Sequence, residues 1–320
     1  MIARVAFCVM LAVSGFAQSS DVFERLKHAL APYGEGEAAA QELAKEHFAT
    51  VEAMLAKGAA LDTPDRAELV SLEGAVAFLA RDMKQAITFF GKAAAVAPLK
   101  DGDSFTLAMA LVVTGEDQRA SGILLTLAQK HPRQAIYLYW LGRIDYNLRL
   151  YPEAIDKLRK VVELDPKSAR AWDSLGLAFD MQGQMEQAYE ALKKAEELNR
   201  ARPYPSAWPP HDLGCWYLRM NQPQEAENVL RESLRFDPKF APAHYHLGRA
   251  LEKQGRDGEA VLEYKTAISE DTFSTDACYS LASLYRKLRR NAEANAMFAE
   301  YRKRKEVPPS ADVTPLRDPQ

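Results

Sequence analysis

The sequence predicts an all-α protein built from about seven stacked helix pairs, and the first observation behind this prediction is a regular spacing of alanines. Seven alanines follow one another at intervals of 34, 34, 34, 38, 34 and 34 residues: Ala86, Ala120, Ala154, Ala188, Ala226, Ala260 and Ala294. An interval of about 34 residues is the length of a helix–turn–helix repeat. Stacked repeats of this kind form a long surface that can hold a partner without any catalytic chemistry.

Other positions recur with the alanines and place two helices in each interval. When each alanine is counted as position 20, position 8 is glycine or alanine in every repeat. Small residues at positions 8 and 20 allow two helices to approach closely where they cross. Position 24 is always large and apolar: Phe90, Leu124, Leu158, Leu192, Leu230, Tyr264 and Phe298. Positions 20, 24 and 27 therefore form one amphipathic stripe, and positions 7, 8 and 11 form the other.

The residues between the two stripes predict where each helix ends. Position 15 is a residue that tolerates a left-handed backbone in four repeats: Gly115, Gly183, Gly255 and Asn221. Position 32 is proline in four repeats, where it would stop the second helix: Pro98, Pro132, Pro166 and Pro238. Two polar residues, Glu73 and Asp145, stand where the pattern expects apolar ones.

This combination of positions resembles the tetratricopeptide repeat family. The repeat at 169–202 carries the most matching residues: Trp172, Leu175, Gly176, Phe179, Gly183, Ala188, Leu192 and Ala195. The resemblance covers about three quarters of the 320 residues. It implies a right-handed α-solenoid of helix–turn–helix repeats, in which the first helix of each repeat lines a concave groove.

The predicted organisation places a leader and a helical cap before the repeats. Its segments are a signal peptide at 1–17, an N-terminal helical cap at 18–66, repeats one to four at 67–202, a proline-rich insertion at 203–206, repeats five to seven at 207–308 and a disordered tail at 309–320. Within the cap we expect one helix from Asp21 to Leu30, capped by Asp21. A second and longer helix is expected from Glu37 to Lys57, ending at Gly58.

The first residues read as a secretory signal peptide. A single positive charge, Arg4, precedes about a dozen apolar residues, and Gly15-Phe16-Ala17 offers a cleavage site before Gln18. The apolar run is too short for a membrane-spanning helix of about 20 residues. We therefore expect an exported protein, periplasmic or secreted in a bacterium, with no transmembrane segment in its mature chain.

Charge and cysteine content exclude some classes of function. Without residues 1–17 the chain has 40 basic and 44 acidic residues, which argues against a nucleic-acid partner. The two remaining cysteines, Cys215 and Cys278, lie in repeats five and seven. Because a disulfide needs Cα atoms within about 7 Å, an intervening repeat argues against a bond between them.

The resemblance predicts a protein or peptide partner in the groove, contacted by positions 2, 5, 9 and 12 of the first helices. Aromatic residues with an arginine one turn later recur there, as in Tyr139 with Arg143 and Tyr245 with Arg249. Tyrosine and arginine are enriched in binding hot spots. The residues predicted to bind the partner are Tyr139, Arg143, Tyr146, Asp173, His211, Arg219, Tyr245, Arg249, Tyr279 and Arg286.

The sequence predicts no enzyme, cofactor or metal site. It contains no HExxH, phosphate-binding glycine loop or GxSxG elbow. His211 and Cys215 are four residues apart on one predicted helix, and His246 follows in the next repeat. These residue types can bind a soft or borderline metal, but no fourth ligand is evident, so ordinary groove polarity is the expectation.

Two alternatives stay open at this stage. The chain could instead be a structural subunit of an envelope assembly that docks through its convex face or ends. The basic last repeat, with Arg286, Arg290 and the run 302–305, would suit an acidic partner or an anionic membrane surface, or form a solvated cap. Residues 203–210, with four prolines, are expected to form an extended connection, either a lip or hinge for a partner or a passive insertion.

Overall fold

A computed structural model describes residues 15–60, 65–270 and 275–306, and these residues form 17 α-helices and no strand. The helices are α1 (Gly15–Leu30), α2 (Gly36–Ala44), α3 (Phe48–Ala59), α4 (Arg66–Leu79), α5 (Met83–Val96), α6 (Asp101–Val113), α7 (Asp117–Lys130), α8 (Ala135–Asn147), α9 (Tyr151–Leu164), α10 (Ala169–Met181), α11 (Met185–Arg200), α12 (Trp208–Arg219), α13 (Pro223–Phe236), α14 (Ala241–Lys253), α15 (Asp257–Glu270), α16 (Thr275–Lys287) and α17 (Asn291–Glu306). The predicted all-α fold class is confirmed. The chain divides into two compact units within α8, after Ile144.

Consecutive helices pack as antiparallel pairs inside each unit. In the first unit α4 packs on α5 and α6 on α7; in the second, α10 packs on α11, α12 on α13, α14 on α15 and α16 on α17. The seven regularly spaced alanines are all buried. An added Cβ at the position 8 glycine of four repeats would meet the position 24 side chain of the same repeat, as at Gly74 against Phe90 and Gly214 against Leu230. The small residues are therefore required by close helix crossing.

The turn inside every repeat uses a left-handed residue at position 15. Glycine occupies this position in three repeats, but arginine or asparagine holds the same backbone conformation in four: Arg81, Arg149, Asn221 and Arg289, with φ between 57° and 65°. In repeat four, Gly183 N–H donates to the Asp180 carbonyl and Gln184 N–H to the Phe179 carbonyl. This is the Schellman arrangement at a helix end. Tertiary packing thus imposes the turn even where the sequence lacks glycine.

The N-terminal segment differs from the sequence-based prediction in two ways. The first helix begins at Gly15, so Asp21 lies inside α1 and does not cap it. The expected long helix from Glu37 to Lys57 is wrong, because α2 ends at Ala44 and α3 begins at Phe48. Glu46 adopts a left-handed φ of 61° between them. An alanine-rich stretch without glycine or proline carries no local signal for such a break.

Arg25 ties α1 to the first two repeats of the first unit. Its guanidinium donates two hydrogen bonds to Asp103 on α6, both 2.8 Å long, and its Nε donates to Glu68 on α4 at 2.7 Å. Ser71 on α4 also donates to Asp103, at 2.7 Å. The Asp103 side chain is 4% exposed and that of Arg25 is 10% exposed. This is a buried, bidentate ion pair, and its charge-assisted hydrogen bonds are stronger than those between neutral groups.

Glu73, a polar residue where the repeat pattern expects an apolar one, is nevertheless buried. It occupies position 7, which is leucine in the other six repeats, and lies buried on α4. Burial raises the pKa of the Glu73 carboxyl, because it disfavours the charged form; Lys92 acts in the opposite direction.

The loop formed by the proline-rich segment is shorter than the extended connection predicted over 203–210. Residues 203–207 lie outside the helices, but Trp208, Pro209 and Pro210 form the first turn of α12, so an extended connection over 203–210 is wrong for its last three residues. Proline is tolerated in a first turn because the N–H groups there have no helical partner. Asn199 closes the loop through two 2.8 Å hydrogen bonds with the Ser206 backbone. Tyr204 remains 83% exposed.

The remaining predictions for the chain ends fall largely outside the described residues. The predicted signal peptide at 1–17 reaches the described part only at its last three residues, which belong to α1. The predicted tail at 309–320 lies wholly outside it.

Candidate protein-binding site

Most of the side chains at position 5 of the first helices are buried rather than exposed. Tyr139, Asp173 and His211, all predicted to contact a partner, are buried, whereas Tyr245 is half-buried and Tyr279 is 52% exposed. Position 5 lies three residues before the small residue at position 8 and so shares the side of the helix that packs. The expectation that position 5 is open to a partner is therefore wrong for Tyr139, Asp173 and His211.

The predicted tyrosine–arginine pairs do form. Arg143 Nη1 lies 3.5 Å from the Tyr139 hydroxyl, and the Arg249 guanidinium lies 5.8 Å from the centre of the Tyr245 ring. Arg249 is exposed, and Arg143 is half-buried. A cation over an aromatic face gains only about 0.5–1 kcal/mol at an exposed site, and its N–H groups are still free to bind an anion. The Tyr245–Arg249 pair therefore suits a partner better than the Tyr139–Arg143 pair.

Three other predicted residues are engaged within the fold. Tyr146 packs its ring on Tyr151, with centroids 5.7 Å apart. Arg219 forms an ion pair with the buried carboxylate of Asp180, whose pKa is raised by burial. Arg286 lies over the Phe298 ring at 4.8 Å.

A cleft of about 370 Å³ between α14 and α16 brings two of the predicted residues together. Its lining residues are Arg249, Glu252, Lys253, Tyr264, Tyr279, Ser280, Ser283 and Lys287. Three cations and one carboxylate line the cleft, so it has an excess of positive charge. The Tyr279 ring packs against Phe298 and Tyr301 with centroids 5.9 and 5.5 Å away, which holds an exposed aromatic surface in place.

The charged groups of the cleft differ in how far they are already paired. Glu252 accepts a 2.9 Å hydrogen bond from Tyr264, Lys253 donates to Asn221 at 2.9 Å, and Lys287 donates to Asp257 at 2.8 Å. Among the described residues, Arg249 forms no ion pair with any carboxylate. Its guanidinium is therefore the cleft's uncommitted cation, with a planar set of donors that fits a carboxylate.

The two cleft lysines were missed by the sequence-based prediction, although a signal for them exists. Lys253 and Lys287 both occupy position 13, the last position of the first helix, as does Arg219 in repeat five. A cation at the same position of three consecutive repeats marks one side of the surface formed by the first helices. The prediction included Arg219 from this row but neither lysine, because it was argued from positions 2, 5, 9 and 12.

Comparison with known proteins agrees with this architecture. The sequence profile of the tetratricopeptide repeat family matches residues 105–169, 145–205 and 211–275, which together span just over half of the chain. The chain belongs to the tetratricopeptide repeat family. Repeat proteins of this family generally serve as non-enzymatic scaffolds that bind protein partners. Within the described residues, we find no helix with both the length and the apolar character needed to cross a membrane.

The similar proteins share the repeat rather than the whole chain. The general transcriptional corepressor ssn6 of Schizosaccharomyces pombe is 27% identical over 112 residues, which is 35% of this chain and 10% of that protein. Superkiller complex protein 3 of Mus musculus is 33% identical over 102 residues, which is 31% of this chain and 6% of that protein. The matched region thus spans a tenth or less of either relative.

A solved tetratricopeptide repeat protein from Parabacteroides merdae has the same fold over most of the chain. It superposes with a TM-score of 0.65 and covers 82% of this chain and 98% of its own, at 17% sequence identity.

Proposed function

We propose that this tetratricopeptide repeat protein is an exported, non-enzymatic scaffold that binds an extended, acidic segment of a partner protein over α14 and α16. The observation that carries the proposal is the exposed Arg249 guanidinium, which lies in a cleft with Tyr279, Lys253 and Lys287 and has no carboxylate partner among the described residues. A carboxylate side chain would form a bidentate pair with Arg249. The exposed Tyr279 ring would contact the apolar part of the same segment.

A peptide-binding measurement tests this proposal. Fluorescein-labelled extended peptides rich in glutamate are compared with peptides of the same sequence that carry glutamine instead, by fluorescence anisotropy. We expect the acidic peptides to bind and the neutral ones to bind at least tenfold more weakly. The double variant Arg249→Glu, Tyr279→Ala is expected to lose about 2 kcal/mol or more of binding free energy, because hot-spot residues of this kind contribute on that order.

Two charge-matched variants separate this surface from the alternatives. Arg133→Glu changes an exposed arginine in the connection between α7 and α8 and is expected to leave binding unchanged. Arg302→Glu reverses a charge on the basic helix α17. If Arg302→Glu abolishes binding while the cleft variant binds normally, docking through the basic end of the chain is supported and the cleft proposal is wrong.

The export part of the proposal rests on residues 1–17, whose charge and apolar run are those of a secretory leader. N-terminal sequencing of the protein recovered from the envelope of its native cell is expected to begin at Gln18. Recovery of an intact chain beginning at Met1 from the cytoplasmic fraction would contradict export and would leave the peptide-binding proposal to its own test.

A further inference from the structure

We propose that His211, Cys215 and His246 bind one borderline metal ion, zinc(II), in the second unit. Their ligand atoms all lie within 4.8 Å of one another: His211 Nε2 is 3.6 Å from Cys215 Sγ and 3.0 Å from His246 Nδ1. In the described part of the chain, no other group of three such side chains lies close enough to share an ion. The site shares no residue with the Arg249–Tyr279 cleft.

These separations are close to those of zinc ligands. Zinc–nitrogen bonds of about 2.0–2.1 Å and zinc–sulfur bonds of about 2.3 Å place neighbouring ligands of a tetrahedral ion roughly 3.3–3.6 Å apart. Two of the three separations, 3.0 and 3.6 Å, lie near this range, and the third is no more than 4.8 Å. Zinc binds imidazole and thiolate ligands well, whereas magnesium and calcium prefer oxygen ligands.

The repeat architecture explains why the three side chains converge. His211 and Cys215 are four residues apart on α12, so they lie one above the other on the same face of that helix. His246 lies on α14, the first helix of the next repeat, which packs against α12. The sequence-based prediction placed no metal here because no fourth protein ligand was evident. The structure adds that position 6 of one repeat meets positions 5 and 9 of the preceding one.

A buried carboxylate orients the first ligand. Asp212 Oδ1 lies 2.8 Å from His211 Nδ1, and both side chains are buried. Nδ1–H donates this hydrogen bond to the carboxylate, so Nε2 is the ring nitrogen that faces Cys215 and His246 and that would bind the ion. In zinc sites a histidine usually binds the metal through one ring nitrogen and donates a hydrogen bond from the other to an outer-shell group such as a carboxylate. The Trp208 and Phe240 rings, 5.6 and 5.4 Å from the His211 ring, hold it in place.

The other two ligands leave a route to solvent. Cys215 and His246 are half-buried, so an ion can enter, and three protein ligands leave a fourth position for water. His246 Nδ1 also lies 3.0 Å from the Pro242 carbonyl, so its proton must leave when the ion binds. Zinc binds the thiolate rather than the thiol, so binding also removes the Sγ proton of Cys215. Because binding displaces protons, affinity for zinc is expected to rise with pH.

Cobalt(II) and zinc titrations of the full chain test the site. We expect one cobalt ion per chain, an intense near-ultraviolet charge-transfer band from a cobalt–thiolate bond, and displacement of that band by one equivalent of zinc. Cys215→Ser is expected to abolish the band, His246→Gln to weaken zinc binding at least tenfold, and Asp212→Asn to weaken it roughly 10–100-fold, as outer-shell changes do.

Matched controls use the same residue types outside the cluster. Cys278→Ser removes the buried thiol of α16, and His244→Gln removes the imidazole that pairs with Glu263 at 2.7 Å. Both variants are expected to bind zinc like the original chain. The proposal is overturned if the thiolate band is absent, if it survives in Cys215→Ser, or if Cys215 is alkylated at the same rate with and without an equivalent of zinc. Circular dichroism of Cys215→Ser establishes that loss of binding is not loss of fold.

Discussion

Replacing Arg25 with methionine is expected to destabilise the first unit by about 3–5 kcal/mol, the usual cost of removing one partner of a buried ion pair. The reason is Asp103, whose buried carboxylate would keep only the hydrogen bond from Ser71. Methionine preserves much of the apolar stem of arginine, so the change isolates the charge. The connection of α1 to α4 and α6 would weaken with it.

Amide hydrogen exchange is the suitable measurement, because repeat arrays unfold in sections and a global midpoint averages over them. Peptides from α1, α4 and α6 are expected to exchange faster in Arg25→Met, while peptides from the second unit keep their protection. Arg119→Met is the control, since the Arg119 side chain is 59% exposed beside Glu116 and its ion pair contributes little.

A second change separates the loss of the pair from the cost of an unpaired charge. Arg25→Met combined with Asp103→Leu is expected to be more stable than Arg25→Met alone, because a buried ion pair replaced by apolar residues is often neutral. A loss below about 1 kcal/mol in the single variant would show that another group or solvent satisfies Asp103 and that Arg25 does not hold α1 in place.

Gly248→Ala is expected to destabilise the second unit by about 1–3 kcal/mol, although alanine is the better helix former by about 0.5–1 kcal/mol. The new Cβ would lie 2.7 Å from two carbons of the Tyr264 ring. This ring is fully buried, and its hydroxyl donates to Glu252 at 2.9 Å, so it cannot move away freely. Hydrogen exchange at increasing urea concentrations gives the unfolding midpoint of the second unit. The shift of this midpoint measures the loss of stability.

The matched control is Gly258→Ala on α15, where an added Cβ meets no atom within 4 Å. We expect it to be neutral or slightly stabilising. Repeat two combines Ala108 with Leu124 at the same two positions, so Gly248→Ala with Tyr264→Leu is expected to be more stable than the sum of the two single changes. Equal effects of Gly248→Ala and Gly258→Ala would contradict the crossing explanation.

Local sequence signals predicted some elements correctly and failed at others for a physical reason. Gly183 predicted a left-handed turn, and the structure contains it; Arg289 adopts the same turn without any residue preference for it. The break at Glu46 went unrecognised for the same reason. A left-handed conformation costs a residue other than glycine some free energy, and in each case the packing of two helices offsets this cost. A stretch of a few residues carries no sign of that packing.

The sequence by itself determined the all-α class, the spacing of the helix pairs and the buried alanines, because a 34-residue pattern repeated seven times averages out local exceptions. Tertiary structure decided which polar side chains are accessible and which meet. Tyr139 and Tyr279 occupy the same repeat position, yet the first is buried and the second is exposed. His211, Cys215 and His246 converge only across two packed helices. The exposure of a side chain, and whether it meets another, depend on how the next repeat packs against its own. The sequence of one repeat does not determine that packing angle.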